Sequence, residues 1–185
     1  MPWYTQYGVT YKEMAYQQSC FPCCLHIALY NLGKVRMEDA IEDRWNELQL
    51  AAHPNQGLAT NAPDALDIIR NIPQTAFATT AIKLITPEMM NAATSEAKAL
   101  DLVAGFVNGT YKAMILGLAH ANVFLRSGTD YVQVKVSPDI NPDYVERSAG
   151  LNVGVLTAPN GDKAIEVKSG FNADFNHLGN FILLL

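Results

Sequence analysis

The chain's three cysteines, Cys20, Cys23 and Cys24, fall within five positions of the segment SCFPCCLHIALYNLG. Pro22 fits a helix only in its first turn, where its missing N–H costs nothing, and Gly33 suits a C-terminal stop. Both signals place Cys20 at or beside a helix N-terminus. There the helix dipole and the free N–H groups favour the thiolate and make the sulfur a nucleophile. Such a thiolate needs a base to orient it and to protonate the leaving group, normally a histidine from a distant part of the chain. His120 meets that need: it lies in AMILGLAHANVFLRSGTDYVQV, at the junction of two predicted strands that would hold it rigidly. The chemistry of this pair is thiol-dependent hydrolysis.

Other readings of the same residues stand beside this one. A disulfide framework needs partners spread along the chain, and here none follow Cys24. Cys20 and Cys23 form a CxxC with His26 nearby, but no second CxxC or HxxxH completes a zinc set, so no metal or cofactor is expected. A redox or metal role for the cluster is a further reading, and buried cysteines also serve as small apolar residues. Among the other histidines, His26 reads as a satisfied helix residue and His53, before Pro54, as a solvated one. His177, in FNADFNHLGNF, is the rival base, in a context that reads as a turn. Asn108-Gly-Thr reads as a turn rather than a glycosylation site. Asp139, Asp143 and Glu146 match no cation-loop spacing.

The elements that must position Cys20 and His120 follow from periodicity. Cys24, Ala28 and Leu32, with Leu25 and Leu29 alongside, form the apolar stripe of a helix over 20–33. Further helices are expected from Met37 to Leu50, from Asn61 or Pro63 to Ile69, and from Thr86 to Val103; residues 51–61 read as a loop. From residue 111 the period becomes two, and strands are predicted at 112–118, 121–126, 131–136, 152–157, 163–168 and 180–185. Ser127–Asp130 and Pro159–Asp162 supply hairpin turns, and 138–150 reads as a polar connection. Helices first and an antiparallel sheet afterwards means α+β. A single domain over 1–185 is expected, mainly helical over 1–110 and sheet-forming over 111–185.

Composition sets the frame. At 185 residues, 49% hydrophobic and 17% charged, the chain can bury a core. A net charge of −5 without runs of Lys or Arg argues against a nucleic-acid partner. The opening MPWYTQYGV lacks the features of a secretion signal, and FILLL is far short of the ~20 residues that span a bilayer. The expectation is a soluble protein without a membrane partner, cytoplasmic or delivered into a target cell's cytoplasm without a classical signal peptide.

SCFPCCLHIALYNLG, followed by KVRMEDAIED, resembles the nucleophile helix of papain-like cysteine hydrolases, above all papain-fold toxin and effector domains. These include an effector glutamine deamidase whose helix carries C-x-x-C-x-L and ends in Gly, here Cys20, Cys23, Leu25 and Gly33. The bacteriocin-leader peptidases have a similar Cys-to-Gly spacing. LAHANVFLRSGTDYVQVKV is similar to the family's histidine segment, and the likeness covers residues 14–139. It implies a papain-like fold, a helical lobe on an antiparallel sheet, with Cys20 as nucleophile and His120 as base.

The family's Asp or Asn after the histidine strand falls here at Ser137-Pro138-Asp139. This leaves Asp139, Ser137 or Asn141 as third member, or none. The family's oxyanion Gln, about six residues before the nucleophile, meets Met14, so Gln17 or Gln18 takes that place. Gln18 does lie six before Cys24, but Cys24 falls a turn inside the helix, away from its free N–H groups. The function implied is a thiol protease or glutamine deamidase acting on a protein or peptide through an acyl-enzyme. The alternative is a catalytically impaired interaction module on the same scaffold.

Overall fold

The runs AMILG and FILL are apolar at every position, the pattern of strands covered on both faces. The structure is a computed structural model that describes residues 2–54, 62–72, 82–92, 95–117, 120–139, 142–169, 175–176 and 181–185. The front of the chain holds β1 (Trp3–Gln6), β2 (Val9–Lys12), α1 (Cys20–Asn31), α2 (Ile41–Ala52) and α3 (Ala62–Arg70). There follow β3 (Lys83–Ile85), α4 (Pro87–Asn91), α5 (Glu96–Asn108), β4 (Ala113–Gly117), β5 (Asn122–Ser127) and β6 (Asp130–Lys135). The last elements are β7 (Val145–Ser148), β8 (Leu151–Thr157), β9 (Lys163–Ser169), β10 (Phe175–Asn176) and β11 (Phe181–Leu184).

Six strands form one antiparallel sheet in the order β3-β11-β4-β5-β6-β7. Alternation along each strand divides its side chains between two cores. Val123 and Leu125 of β5 pack with Val132, Val134 and the apolar side of α1. Phe124 points the other way, into a core with Phe106 of α5 and Ile165 of β9. Helices α1 and α2 with the β1–β2 hairpin therefore lie on one face, and α4, α5 and the sheet β10-β9-β8 on the other. The fold is α+β with antiparallel sheets, as composition and periodicity imply.

The six predicted strands appear with no end shifted by more than one residue, and the hairpin turns stand at 128–129 and 159–162. The front half holds more strand than its periodicity shows. Tyr7 and Gly8, at φ 53° and 75°, turn β1 back onto β2. Strand β3, three residues long, joins the main sheet beside β11. Within the expected polar connection, β7 pairs with β6, its outward residues accounting for the polarity.

Two helices differ at their ends for local reasons. Helix α2 starts at Ile41 rather than Met37, because Asp39 Oδ2 accepts the Arg36 N–H at 2.7 Å and closes a turn there. The helix expected over 86–103 is two. Ala92 is extended, and Asn91 is drawn to β9, where its Oδ1 accepts the Lys163 N–H at 2.8 Å.

Candidate active site

Cys20 is the first residue of α1, and both ends of that helix follow from sequence. Gly33, at φ 69°, closes the far end: its N–H reaches Tyr30 O and the Lys34 N–H reaches Leu29 O, each at 2.9 Å. At the near end Ser19 is fully buried, and its Oγ donates to Glu42 Oε2 at 2.5 Å and accepts the Tyr16 N–H at 3.1 Å. Glu42 Oε2 also accepts the Ala15 N–H at 2.7 Å, while the other carboxylate oxygen pairs with the Lys12 ammonium. Both charges of that pair are buried. One carboxylate from the first turn of α2 thus ties β2 and the turn over 15–19 to the point where the nucleophile helix begins. Phe21 adds an apolar clamp, its ring 5.0 Å from Trp45 of α2 and 5.3 Å from Phe181 of β11.

His120 sits on the exposed surface between β4 and β5, where the sequence places it. Its imidazole is hydrogen-bonded to the Cys20 thiol. On the other side its Nε2–H donates to the Val136 carbonyl at 2.5 Å, which leaves Nδ1 for the sulfur. Partial burial pushes the Cys20 thiol up. The His120 hydrogen bond, the Ala121 N–H, the imidazolium charge and the Phe21 N–H together outweigh that, so the thiol lies below its ordinary value. His120 moves the opposite way: its bond to Cys20 raises it against the effect of burial, and the Val136 carbonyl and the thiolate charge raise it further. The two shifts run in opposite directions, each group favouring the charged form of the other.

Neither of the other cysteines is activated in this way. Burial drives Cys23 up to about 12, only partly countered by the Lys12 charge, with Cys20 adding to the rise. Cys24 is fully buried and is held well above its ordinary value. His26 lies inside the fold, its Nε2–H on the Arg36 carbonyl at 2.9 Å and its ring edge-on to Trp3.

Among the described residues, no hydrogen bond joins the other expected site residues to this pair. Asp139 is exposed, and its backbone N–H bonds the Ser137 hydroxyl at 3.3 Å, so each occupies the other in a local turn. The Ser137 carbonyl accepts the Met14 N–H at 2.9 Å, which fixes the buried Met14 beside that strand end. Gln17 and Gln18 lie exposed in the turn before Cys20, and among the described residues neither amide has a hydrogen-bond partner. Asn141 and His177 lie outside the described residues. No group of three or more His, Cys, Asp or Glu side chains suited to a metal ion occurs among the described residues. Among them, too, no helix is long and apolar enough to cross a membrane.

Sequence reasoning missed the Val136 carbonyl, the Ala121 N–H and Glu42. The first two are main-chain atoms, which no residue type announces. Glu42 reads as one more solvated helix acid, and its one available sign was a place in the first turn of the helix after the cysteines. Compared with known proteins, the chain matches no family model, no curated protein and no solved structure.

Proposed function

We propose that the chain is a cysteine-dependent amide hydrolase of papain-like design, acting on a protein or peptide substrate. The observation that carries this reading is the hydrogen bond between Cys20, at the start of α1, and His120, with that imidazole oriented by Val136. The thiolate attacks an amide carbonyl, and the Cys20 N–H, at the first helical position and without an intrahelical acceptor, faces the developing oxyanion. His120 then passes its proton to the leaving nitrogen and a thioester remains. Next it takes a proton from water, which opens the thioester and returns the thiolate. The Val136 carbonyl does what a side-chain amide or carboxylate does in other triads: it fixes which ring nitrogen carries the hydrogen and turns the other to the sulfur.

A peptide-bond substrate makes the protein a protease, and a glutamine side chain makes it a deamidase that releases ammonia. Both share every step up to the acyl-enzyme. The deamidase reading draws on the likeness of SCFPCCL to effector deamidases. The test is a screen of unfolded protein and Gln-containing peptides for new termini and for ammonia, with Cys20→Ala and His120→Ala beside the wild type. Cys20→Ala is expected to abolish either product, and His120→Ala to lower its rate by about 10²–10⁴-fold. Activity that survives Cys20→Ala would refute the proposal. A wild type inert on both classes would favour the interaction module.

A further inference from the structure

Cys23 has no part in the hydrolysis above, yet it stands one helical turn from the nucleophile in a helix whose first residue is Cys20. Residues i and i+3 of an α-helix have Cα atoms about 5 Å apart, which falls within the span of about 4.4–6.8 Å that a disulfide bridges. Cys24, at i+4, falls within the same span at about 6.2 Å, so distance alone does not choose between them. Their surroundings do. The Cys23 thiol lies 3.7 Å from the Glu13 carbonyl and 3.9 Å from that of Lys12, and although burial holds the thiol up, the Lys12 ammonium partly offsets that. Cys24 is sealed among apolar side chains, and its neighbouring charges, Cys23 and Cys20, only oppose ionisation.

We propose that Cys20 and Cys23 form a reversible disulfide that masks the nucleophile when the protein meets a peroxide. The first step is attack of the Cys20 thiolate on the peroxide. An S–O bond forms, the O–O bond breaks, the departing hydroxide takes the proton that His120 received from Cys20 and leaves as water, and the sulfur gives up two electrons to become a sulfenic acid. Cys23 then attacks that sulfur. The S–S bond forms, the S–O bond breaks, and the departing hydroxide takes the Cys23 proton as water. In sum two thiols and one hydrogen peroxide give one disulfide and two waters, and a dithiol reductant reverses the product by exchange. The value of the arrangement lies in division of labour. A partly accessible thiolate meets the peroxide first, and a buried partner captures the sulfenic acid before it climbs to the irreversible sulfinic acid. As control of hydrolysis the disulfide rests on the function proposed above; its formation does not, because it is read by mass.

The test treats the full chain with hydrogen peroxide, alkylates it under denaturing conditions and maps its peptides. Wild type is expected to lose two hydrogens across Cys20–Cys23 and to take label at Cys24 alone, and dithiothreitol should restore label at all three. Cys23→Ser and Cys23→Ala should instead drive Cys20 to sulfinic acid that dithiothreitol does not recover, whereas Cys24→Ala should behave as wild type. Sulfinic acid at Cys20 in wild type, or a Cys20–Cys24 bond, would overturn the proposal. The wild-type map decides this even if the buried Cys23 variants fail to fold. A protein that forms the disulfide and hydrolyses no amide keeps this inference and loses the hydrolase; one that hydrolyses but only overoxidises does the reverse.

Discussion

His120 bonds a thiol with one nitrogen and a backbone carbonyl with the other, and this arrangement decides which nearby side chains matter. An acceptor in the main chain cannot be removed by substitution, whereas an acidic side chain can. The hydrogen bond Asp139 makes in the local turn is through its backbone N–H, and among the described residues none joins its carboxylate to His120, so Asp139→Ala should leave hydrolysis and the alkylation rate of Cys20 unchanged. A large loss in either would restore Asp139 as third member. At this scale the sequence was informative where a role needs a residue type. A thiol at a helix start and an imidazole on a strand are both visible as letters. The orienting carbonyl and the Ala121 N–H are common to every residue, so only folding reveals them.

The elements carry the next level of control, through the buried Lys12–Glu42 pair that anchors the start of α1. Glu42→Ala leaves the Lys12 charge buried without its partner, a loss of about 3–5 kcal/mol. A chain of this length should answer with a fall in Tm of about 2–4 °C per kcal/mol. The combined Lys12→Met and Glu42→Leu variant should recover most of that stability in a thermal melt. If Glu42→Ala melts like wild type, the pair does not anchor the helix.

His26 gives a second prediction on α1. Burial lowers its value below the ordinary 6.5, with the Lys12 charge adding to the effect and the Arg36 carbonyl and Asp39 opposing it. The unfolded chain therefore takes up a proton that the folded protein refuses. Stability should be full above 6.5 and decline as pH falls through the folded value. His26→Gln should flatten that decline in melts run across this range; an unchanged slope would exclude His26 as its source. Both ends of α1 were legible from Pro22 and Gly33. The start of α2 was not, since Asp39 served a turn at 36–39 rather than a helix.

For the whole molecule the governing fact is a sheet covered on both faces, with β11 inserted between β3 and β4. The continuous apolar runs announce burial, but strand order depends on pairings between residues about a hundred positions apart, which no local pattern encodes. Gly117 is one such long-range requirement. A Cβ there would stand 2.6 Å from the Phe181 ring, and Phe181 packs on Phe21, the neighbour of Cys20. Gly117→Ala should destabilise by about 1–3 kcal/mol in denaturant unfolding and slow Cys20 labelling. Stability equal to wild type would mean that the ring shifts freely.

The most direct test of the account is the pH profile of Cys20 alkylation, read by mass spectrometry in wild type and His120→Ala. The lowered thiol and raised imidazole predict that labelling sets in below the ordinary thiol range, the Cys20 thiolate being favoured by a protonated His120. His120→Ala should move the profile up toward that of a free thiol, at about 8.5. A Cys20 that labels like a free thiol, or not at all, with or without His120, would contradict the thiolate–imidazolium pair and the hydrolase built on it.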